Sequence, residues 1–211
     1  MSIFNQWDDI YENVAGLEGG SLLCVGVLLS EKVKSLPYKR HRQLKTVANA
    51  GNLTDKKYDY IFSESQLNGI YRLKDHFVKI SAYLEEYGCY ALAETTVRNN
   101  EDAWFNTLLT LLDPSHIRAP RAEEVIAAAA EQFELVHYVH FGFEKSYPLP
   151  EGKTLKKVEK HLKSPPDKFP DYNFLSSLYS ADDIEAKTDE AISSGKLIFE
   201  MNGGFFVWRN L

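Results

Sequence analysis

Residues 57–96 constrain the fold of this chain more than any other stretch. Residues 58–63 and 89–94 are two short apolar runs, and a polar loop and a helix-like pattern lie between them. The spacing of the apolar residues predicts a helix over residues 72–86, with Gly88 as its left-handed stop. A strand, a helix and a second strand in this order form a βαβ unit, whose parallel strands need helices on both faces of the sheet. We therefore predict an α/β fold with a doubly wound, mostly parallel sheet.

The remaining apolar runs predict where the other strands and helices lie. Residues 21–29 are a continuous apolar run typical of a central parallel strand, and residues 31–43 contain no convincing strand. Near the C-terminus, Asn202-Gly203 predicts a tight turn between two strands and therefore a terminal hairpin. Further strands are predicted at 44–47, 133–143, 196–200 and 204–208, and further helices at 3–15, 101–112, 121–132, 153–162 and 180–194.

Length and composition indicate an ordinary globular protein. The chain has 211 residues, of which 44% are hydrophobic and 26% charged, and its net charge is −6. We predict a single domain over residues 1–211, with a loop-rich insertion at about 144–171 that is rich in lysine and proline. The acidic balance argues against nucleic-acid binding. No run approaches the roughly 20 apolar residues of a membrane span, and the N-terminus has no signal-peptide pattern, so we expect a cytoplasmic protein.

Three groups of potentially reactive side chains have a structural explanation. Cys24 and Cys89 lie in apolar strand-like runs, which favours buried thiols in a reducing compartment. The basic residues 39–42 could bind phosphate or nucleic acid, but a solvated surface is the favoured interpretation. His137 and His140 are three residues apart and would face opposite sides of a strand, so we expect no metal site there.

The order of these elements resembles that of class I S-adenosylmethionine-dependent methyltransferases of the small-molecule type. Residues 58–63 (YDYIFS) are similar to the family's strand of the form YDxIxS, and residues 84–94 are similar to its LxxxGxYxLxET block. Residues 204–209 resemble the family's closing antiparallel strand, and the helix at 3–15 resembles its entrance helix. The resemblance implies a methyltransferase-like Rossmann variant with an antiparallel C-terminal hairpin.

The sequence departs from the family where the methyl donor would bind. The family's first strand ends in a glycine-rich turn of the approximate form D-x-G-x-G, which lets the backbone approach the cofactor. Residues 24–29 read CVGVLL at this place, so Gly26 is the one glycine and Cys24 replaces the aspartate.

The segment after Gly26 is also shorter than the family pattern requires. Too few residues separate Gly26 from Leu44 for a helix of ordinary length and a strand, so the second βα unit looks missing or reduced. That unit would supply the carboxylate that holds the ribose hydroxyls, and no acidic residue lies between Lys32 and Gly51.

The resemblance places the candidate cofactor contacts at the carboxyl ends of strands and in the loops that follow. Glu64 could act as a base or lie solvated, and the solvated interpretation is favoured. No catalytic residue is assigned, and no metal is expected. The candidate cofactor residues, which are contacts or vestiges of contacts, are Gly26, Asn49, Ser63 and Glu64, and Ser65 and Asn68 could line the same pocket.

Three hypotheses about function follow, and they leave open whether the protein is an enzyme. The first is a methyltransferase-like protein that has lost the usual S-adenosylmethionine binding, holds no cofactor, and acts as a binding or regulatory partner of a protein such as an active methyltransferase homologue. Its interface would be the sheet edge left open by the missing strand. The second is an active S-adenosylmethionine-dependent methyltransferase of a small molecule with an atypical cofactor site. The third is a different small-molecule enzyme or ligand binder on the same fold.

Overall fold

The computed structural model of the chain describes residues 6–7, 9–10, 20–27, 40–44, 57–67, 72–96, 103–114, 119–162, 186, 189–190 and 193–211. Trp7, Asp9 and Ile10 are helical, as predicted for residues 3–15, and the rest of that helix apart from Gln6 lies outside the described residues. Asn49, Asn68, the predicted strand residues 45–47, residues 163–171 of the predicted insertion and most of the predicted helix at 180–194 lie outside them too.

The described chain divides into two compact units. The first comprises Met1–Thr96, Pro120–Phe143 and Asn202–Leu211, and the second comprises Val97–Ala119 and Glu144–Met201. The first unit contains the parallel strands and the candidate site. A single domain with an insertion at about 144–171 stays a prediction.

Most strands and helices of the described residues overlap the predicted positions. The strands are β1 (Ser21–Val25), β2 (Arg40–Leu44), β3 (Tyr58–Glu64), β4 (Leu84–Thr95), β5 (Phe133–Pro148) and β6 (Lys196–Asn210). The helices with defined bounds in the described chain are α1 (Leu73–Ala82), α2 (Ala103–Leu112), α3 (Ala122–Ala129) and α4 (Gly152–Leu162).

The six strands form one mixed sheet in the order β2-β1-β3-β4-β6-β5. β1 pairs in parallel with both β2 and β3, and β3 pairs in parallel with β4. β6 pairs antiparallel to β4. This arrangement confirms the predicted α/β fold, in which a mostly parallel sheet ends in antiparallel C-terminal strands.

The prediction that residues 31–43 contain no strand is wrong from Arg40 onwards. β2 lies beside β1, with Ser21 opposite Arg40 and Val25 opposite Leu44. A polar strand is stable here because β2 is at the edge of the sheet, and the Arg40 guanidinium lies 4.4 Å from the centre of the Tyr58 ring. The strand of the second βα unit is therefore present, and residues 28–39, which precede it, lie outside the described residues.

Apolar residues of alternating direction form a core on each face of the sheet. On one face, Leu23 and Ile61 pack with residues of α1 and α3, such as Phe77 and Val125. On the other face, Leu22, Cys24 and Phe62 pack with Trp7 of the N-terminal helical residues. The doubly wound arrangement follows from strands that are apolar on both sides.

The predicted tight turn at Asn202-Gly203 is wrong, because β6 continues through it from Lys196 to Asn210. Gly203 lies opposite Thr95 of β4, and Gly204 lies opposite Glu94. A Cβ atom on Gly203 would lie 2.5 Å and 2.9 Å from two ring carbons of Phe141. Glycine is needed here for close packing against an aromatic ring rather than for a turn.

Gly88 does not end a helix either. α1 ends at Ala82, β4 begins at Leu84, and Tyr87 rather than Gly88 has a positive φ of 62°. A Cβ atom on Gly88 would lie 2.9 Å from the carbonyl oxygen of Glu85 and 3.1 Å from that of Asp59. This glycine therefore allows the irregular first part of β4 to approach β3 closely.

The two cysteines are thiols and do not form a disulfide. Cys24 is buried in β1, as predicted, and Cys89 in β4 is partly buried. Burial raises the pKa of the Cys89 thiol to about 11, and the nearby Arg209 charge opposes this shift.

None of the helices in the described part of the chain has both the length and the apolar character needed to cross a membrane.

Substitution of Gly203 by alanine should destabilise the protein by about 1–3 kcal/mol, because the new methyl group would overlap the Phe141 ring. The matched control is Gly142→Ala in β5, where an added Cβ atom meets nothing within 4 Å. Urea unfolding of both variants measures the difference. Equal stabilities would contradict the packing role of Gly203.

Candidate functional site at the carboxyl ends of the parallel strands

Gly26 begins the candidate site at the carboxyl end of β1. Its φ of +74° lies in the left-handed region, which favours glycine. Its backbone N–H donates a hydrogen bond to the carbonyl oxygen of Leu44, at an N–O distance of 2.9 Å. The glycine turn therefore lies beside the carboxyl end of β2, where ligands bind in open α/β sheets.

The turn after β3 fills the space beside Gly26. A Cβ atom on Gly26 would overlap the side-chain nitrogen of Gln66 and would lie 2.7 Å from the carbonyl oxygen of Glu64. The Gln66 side chain is held in this position because its Nε2 donates a hydrogen bond to the same carbonyl oxygen at 2.8 Å. The backbone at Gly26 thus faces the protein's own turn.

Glu64 is the last residue of β3 and only 4% exposed, so the expectation of a solvated side chain is wrong. Its Oε2 atom accepts a hydrogen bond from the indole nitrogen of Trp7 at 2.6 Å. The Trp7 ring stacks on Phe62 and meets Phe205 edge-on, each with a centroid separation of 5.7 Å. This carboxylate therefore anchors the N-terminal helical residues over the sheet.

Glu94 is a site residue that the sequence analysis did not select. It is fully buried near the end of β4, and its carboxylate accepts hydrogen bonds from the backbone N–H groups of Leu67 at 2.7 Å and Thr95 at 3.0 Å. Burial raises the pKa of Glu94 to about 7, although hydrogen bonds from Leu67, Thr95 and Gln66 lower it. The feature of the sequence that could have identified Glu94 as a site residue is that this glutamate ends an apolar run.

Glu94 fixes the turn that carries Gln66. Leu67 is held by the Glu94 carboxylate, and Ser65 donates its backbone N–H to the carbonyl oxygen of Ala93 at 3.0 Å. Ser65 has a positive φ of 53°, a conformation that a non-glycine residue adopts at some energetic cost. The turn is therefore held on both sides of Gln66 by the end of β4.

Ser63 points to the opposite face of the sheet from Glu64 and belongs to a separate buried network. Its hydroxyl lies 2.7 Å from the hydroxyl of Tyr90, which lies 2.9 Å from Nε2 of His76. Burial lowers the pKa of His76 to about 4, and the Lys79 charge lowers it further. This network packs among the aromatic rings of the core and does not face Gly26.

The structure thus brings together two of the four predicted cofactor residues. Gly26 and Glu64 meet through the Glu64 carbonyl oxygen, whereas Ser63 is on the other face and Asn49 lies outside the described residues. Among the residues that the structure describes, no three His, Cys, Asp or Glu side chains form a group that could hold a metal ion.

Two features of the described residues concern the cofactor contacts that the family resemblance implies. The side chain of Gln66 and the carbonyl oxygen of Glu64 occupy the place that a Cβ atom on Gly26 would take. β2 reads RHRQL, so none of its five residues carries a carboxylate.

Replacement of Trp7 by phenylalanine tests the Trp7–Glu64 contact. It removes an indole N–H from a buried carboxylate, and we expect a loss of stability about 1–3 kcal/mol larger than in Trp208→Phe. Trp208 is a matched control because it is equally buried and its indole N–H finds no hydrogen-bond acceptor among the described residues. Thermal and urea unfolding measure the difference, and equal losses would contradict the proposed anchor.

Glu94 and His76 should give the stability opposite dependences on pH. The pKa of Glu94 is about 7 instead of 4.5, so its contribution is fully present below pH 4.5 and is lost as the pH rises through 7. The pKa of His76 is about 4 instead of 6.5, so its contribution is present above pH 6.5 and is lost as the pH falls towards 4. The two dependences largely cancel between pH 4.5 and 6.5.

Single variants should therefore separate the two groups. Relative to the wild type, Glu94→Gln should become more stable as the pH rises from 4.5 to 7. His76→Gln should show the reverse relative change over the range from pH 4 to 6.5. Each slope is limited to about 1.4 kcal/mol per pH unit. Urea unfolding across this pH range is the measurement, and parallel profiles for all three proteins would contradict both assignments.

Comparison with known proteins identifies the fold. No family model matches the sequence, and no curated protein matches it significantly. A protein from Bacillus halodurans C-125, provisionally described as a methyltransferase, has a similar structure with a TM-score of 0.65 and 14% identity, over 97% of this chain and 99% of that one. The YcgJ protein of Bacillus subtilis has a TM-score of 0.56 and 13% identity, over 95% of this chain and 97% of that one.

A third similar structure is coclaurine N-methyltransferase bound to N-methylheliamine and S-adenosylhomocysteine. Its TM-score is 0.50 with 12% identity, over 95% of this chain and 71% of that one. At these identities the similarity establishes the fold alone. The chain has the methyltransferase-like fold.

Proposed function

We propose that this chain is a methyltransferase-like protein that no longer binds S-adenosylmethionine in the usual way and acts as a binding or regulatory partner of another protein, such as an active methyltransferase homologue. The observation that carries the proposal is the turn after β3. Gln66 and the Glu64 carbonyl oxygen fill the space beside Gly26, where the family's glycine turn approaches its cofactor.

Two losses of binding energy support the proposal. Without a carboxylate at the end of β2, a charge-assisted contact to the ribose of roughly 2–3 kcal/mol is lost. In addition, Gln66 would have to leave its hydrogen bond to Glu64 before a ligand could reach Gly26. Since each 1.4 kcal/mol is about tenfold in affinity, the first loss alone weakens binding by roughly 30- to 140-fold, and the second weakens it further.

The buried carboxylates support a role in holding the protein's own segments. Glu64 accepts the indole N–H of Trp7, and Glu94 accepts the backbone N–H of Leu67. Both groups lie at the strand ends where an enzyme of this fold would meet its ligands. If these strand ends hold the protein's own segments in place of a ligand, contacts with another protein would be made by the outer surfaces.

The alternative function is an active S-adenosylmethionine-dependent methyltransferase with an atypical cofactor site. One observation favours it: the group nearest to Gly26 is the end of a flexible side chain, and Gly26 itself keeps the left-handed conformation of a glycine turn. Rotation of Gln66 would then open the site. Methyl transfer needs a well-aligned donor and acceptor more than a fixed catalytic group.

Calorimetric titration with S-adenosylmethionine and S-adenosylhomocysteine distinguishes the two functions. We expect no binding by the wild type at millimolar ligand, whereas micromolar binding would establish the alternative. Gln66→Ala opens the space beside Gly26 and should gain weak, measurable binding. Gln132→Ala is the matched control, because Gln132 follows α3 and lies outside the candidate site.

A second variant tests the alternative directly. Gly26→Val should lower only the stability if no ligand approaches this backbone, since its φ of +74° is strained for valine. If the wild type binds the donor and the substitution abolishes that binding, the alternative function is supported and the proposed one is wrong.

A further inference from the structure

The outer edge of the sheet carries an exposed apolar strand. β5 is the last strand in the sheet order, so one side of its backbone faces away from the other five strands described. Every residue from 134 to 140 is exposed. The large apolar side chains among them are Leu135 at 38% exposure, Val136 at 53%, Tyr138 at 37% and Val139 at 41%.

The sequence of this edge lacks the two residue types that usually prevent strand pairing. Natural edge strands are protected by proline, by lysine or by a covering helix or loop. Residues 133–141 read FELVHYVHF and contain neither proline nor lysine. A strand of this kind is a template for another strand, and its side chains decide which strand fits.

We propose that β5 pairs antiparallel with β5 of a second copy of this chain, around a twofold axis at His137. With the axis perpendicular to the sheet, each residue lies opposite a residue of the second copy whose side chain points to the same face of the sheet. Leu135 then lies opposite Val139 of the second copy, and Val136 lies opposite its Tyr138. All four exposed apolar side chains of the strand therefore meet apolar partners.

Charge complementarity favours the same register. With the axis at His137, Glu134 lies opposite His140 of the second copy, so an acidic and a basic side chain face each other twice across the interface. Both residues are exposed on β5. Glu134 also lies 3.6 Å from Arg209 of its own chain, so a basic environment surrounds the carboxylate from both copies.

Neighbouring registers are less complementary. With the axis at Tyr138, Val136 and Val139 would each face a histidine, and Glu134 would face Gly142. With the axis at Val139, Glu134 would face Glu144 of the second copy, and two like charges would lie directly opposite each other. Of these three registers, the one with its axis at His137 best matches the side chains of β5.

The proposed pairing is independent of the cofactor site. It uses residues 133–141 of β5, whereas the closed site lies at the ends of β1, β3 and β4. Failure of one proposal would leave the other unaffected, because ligand titration and self-association are separate measurements.

Cysteine cross-linking tests the register. In His137→Cys the two introduced residues face each other across the axis, with Cα atoms about 4.5–5.5 Å apart, within the range that a disulfide spans. In the control Val139→Cys, the two introduced residues are four positions apart along the strands, about 14 Å. Mild oxidation should therefore give a covalent dimer of the first variant only.

Each cross-linking result supports or overturns the proposal. The wild type under the same oxidation corrects for Cys24 and Cys89, which are buried and partly buried. A covalent dimer of His137→Cys, with little from Val139→Cys or the wild type, supports the register. Equal yields from the two variants, or none from His137→Cys, would overturn it.

Sedimentation equilibrium tests the pairing without a cross-link. The wild type should dimerise at high micromolar concentration, and a monomer under these conditions would overturn the proposal. His140→Glu places two acidic side chains opposite each other and should weaken the dimer about tenfold or more. The double variant Glu134→Lys with His140→Glu restores opposite charges and should recover most of the affinity.

A matched surface variant controls for general effects of charge. Val78→Glu adds a charge at an apolar residue of α1 that is 52% exposed, similar to the residues of β5. It should leave the dimer unchanged. Circular dichroism of all variants confirms the fold, and an effect of Val78→Glu as large as that of His140→Glu would also overturn the proposal.

Discussion

The hydrogen bonds between the buried Glu94 carboxylate and backbone N–H groups determine the geometry of the candidate site. A carboxylate with no solvent contact is unfavourable unless donors satisfy it. The turn after β3 supplies such donors, including the N–H of Leu67 at 2.7 Å. The same hydrogen bonds hold the turn in one conformation, in which Ser65 has a positive φ and the Gln66 side chain lies against Gly26. The position of Gln66 beside Gly26 is thus a consequence of how Glu94 is hydrogen-bonded.

Two neighbouring strand ends use their carboxylates in the same way. Glu64 at the end of β3 is held by the Trp7 indole on one face of the sheet, while Glu94 of β4 is held by backbone groups. The raised pKa of Glu94 reflects burial first, and the Glu64 charge adds to it. Two buried acids at adjacent strand ends are unfavourable together. Each of the two acids nevertheless has a structural role, since each orders a segment distant in sequence.

The sequence predicted the features that depend on local pattern. β1, β3, α1 and β4 were found because apolar runs and helical spacing report burial directly. The position of Gly26 at the end of β1 followed from the same pattern.

The features that the sequence did not predict depend on distant contacts. Glu64 was expected to be solvated because its donor, Trp7, lies 57 positions away, and the role of Glu94 depends on Leu67, 27 positions away. The polar strand β2 is stable only beside β1, and Asn202-Gly203 continues a strand because Phe141 packs on Gly203. Local propensity is a weak guide wherever such tertiary contacts determine the conformation.

The candidate site and the edge strand β5 are joined by packing through β6. Glu94 lies opposite Gly204 of β6 in the sheet, and a Cβ atom on Gly204 would lie 3.1 Å from the ring of Tyr138 on β5. Tyr138 also packs on Phe206, with ring centroids 4.9 Å apart. The absence of a side chain at Gly204 is what allows the edge strand to lie this close to the strand that carries Glu94.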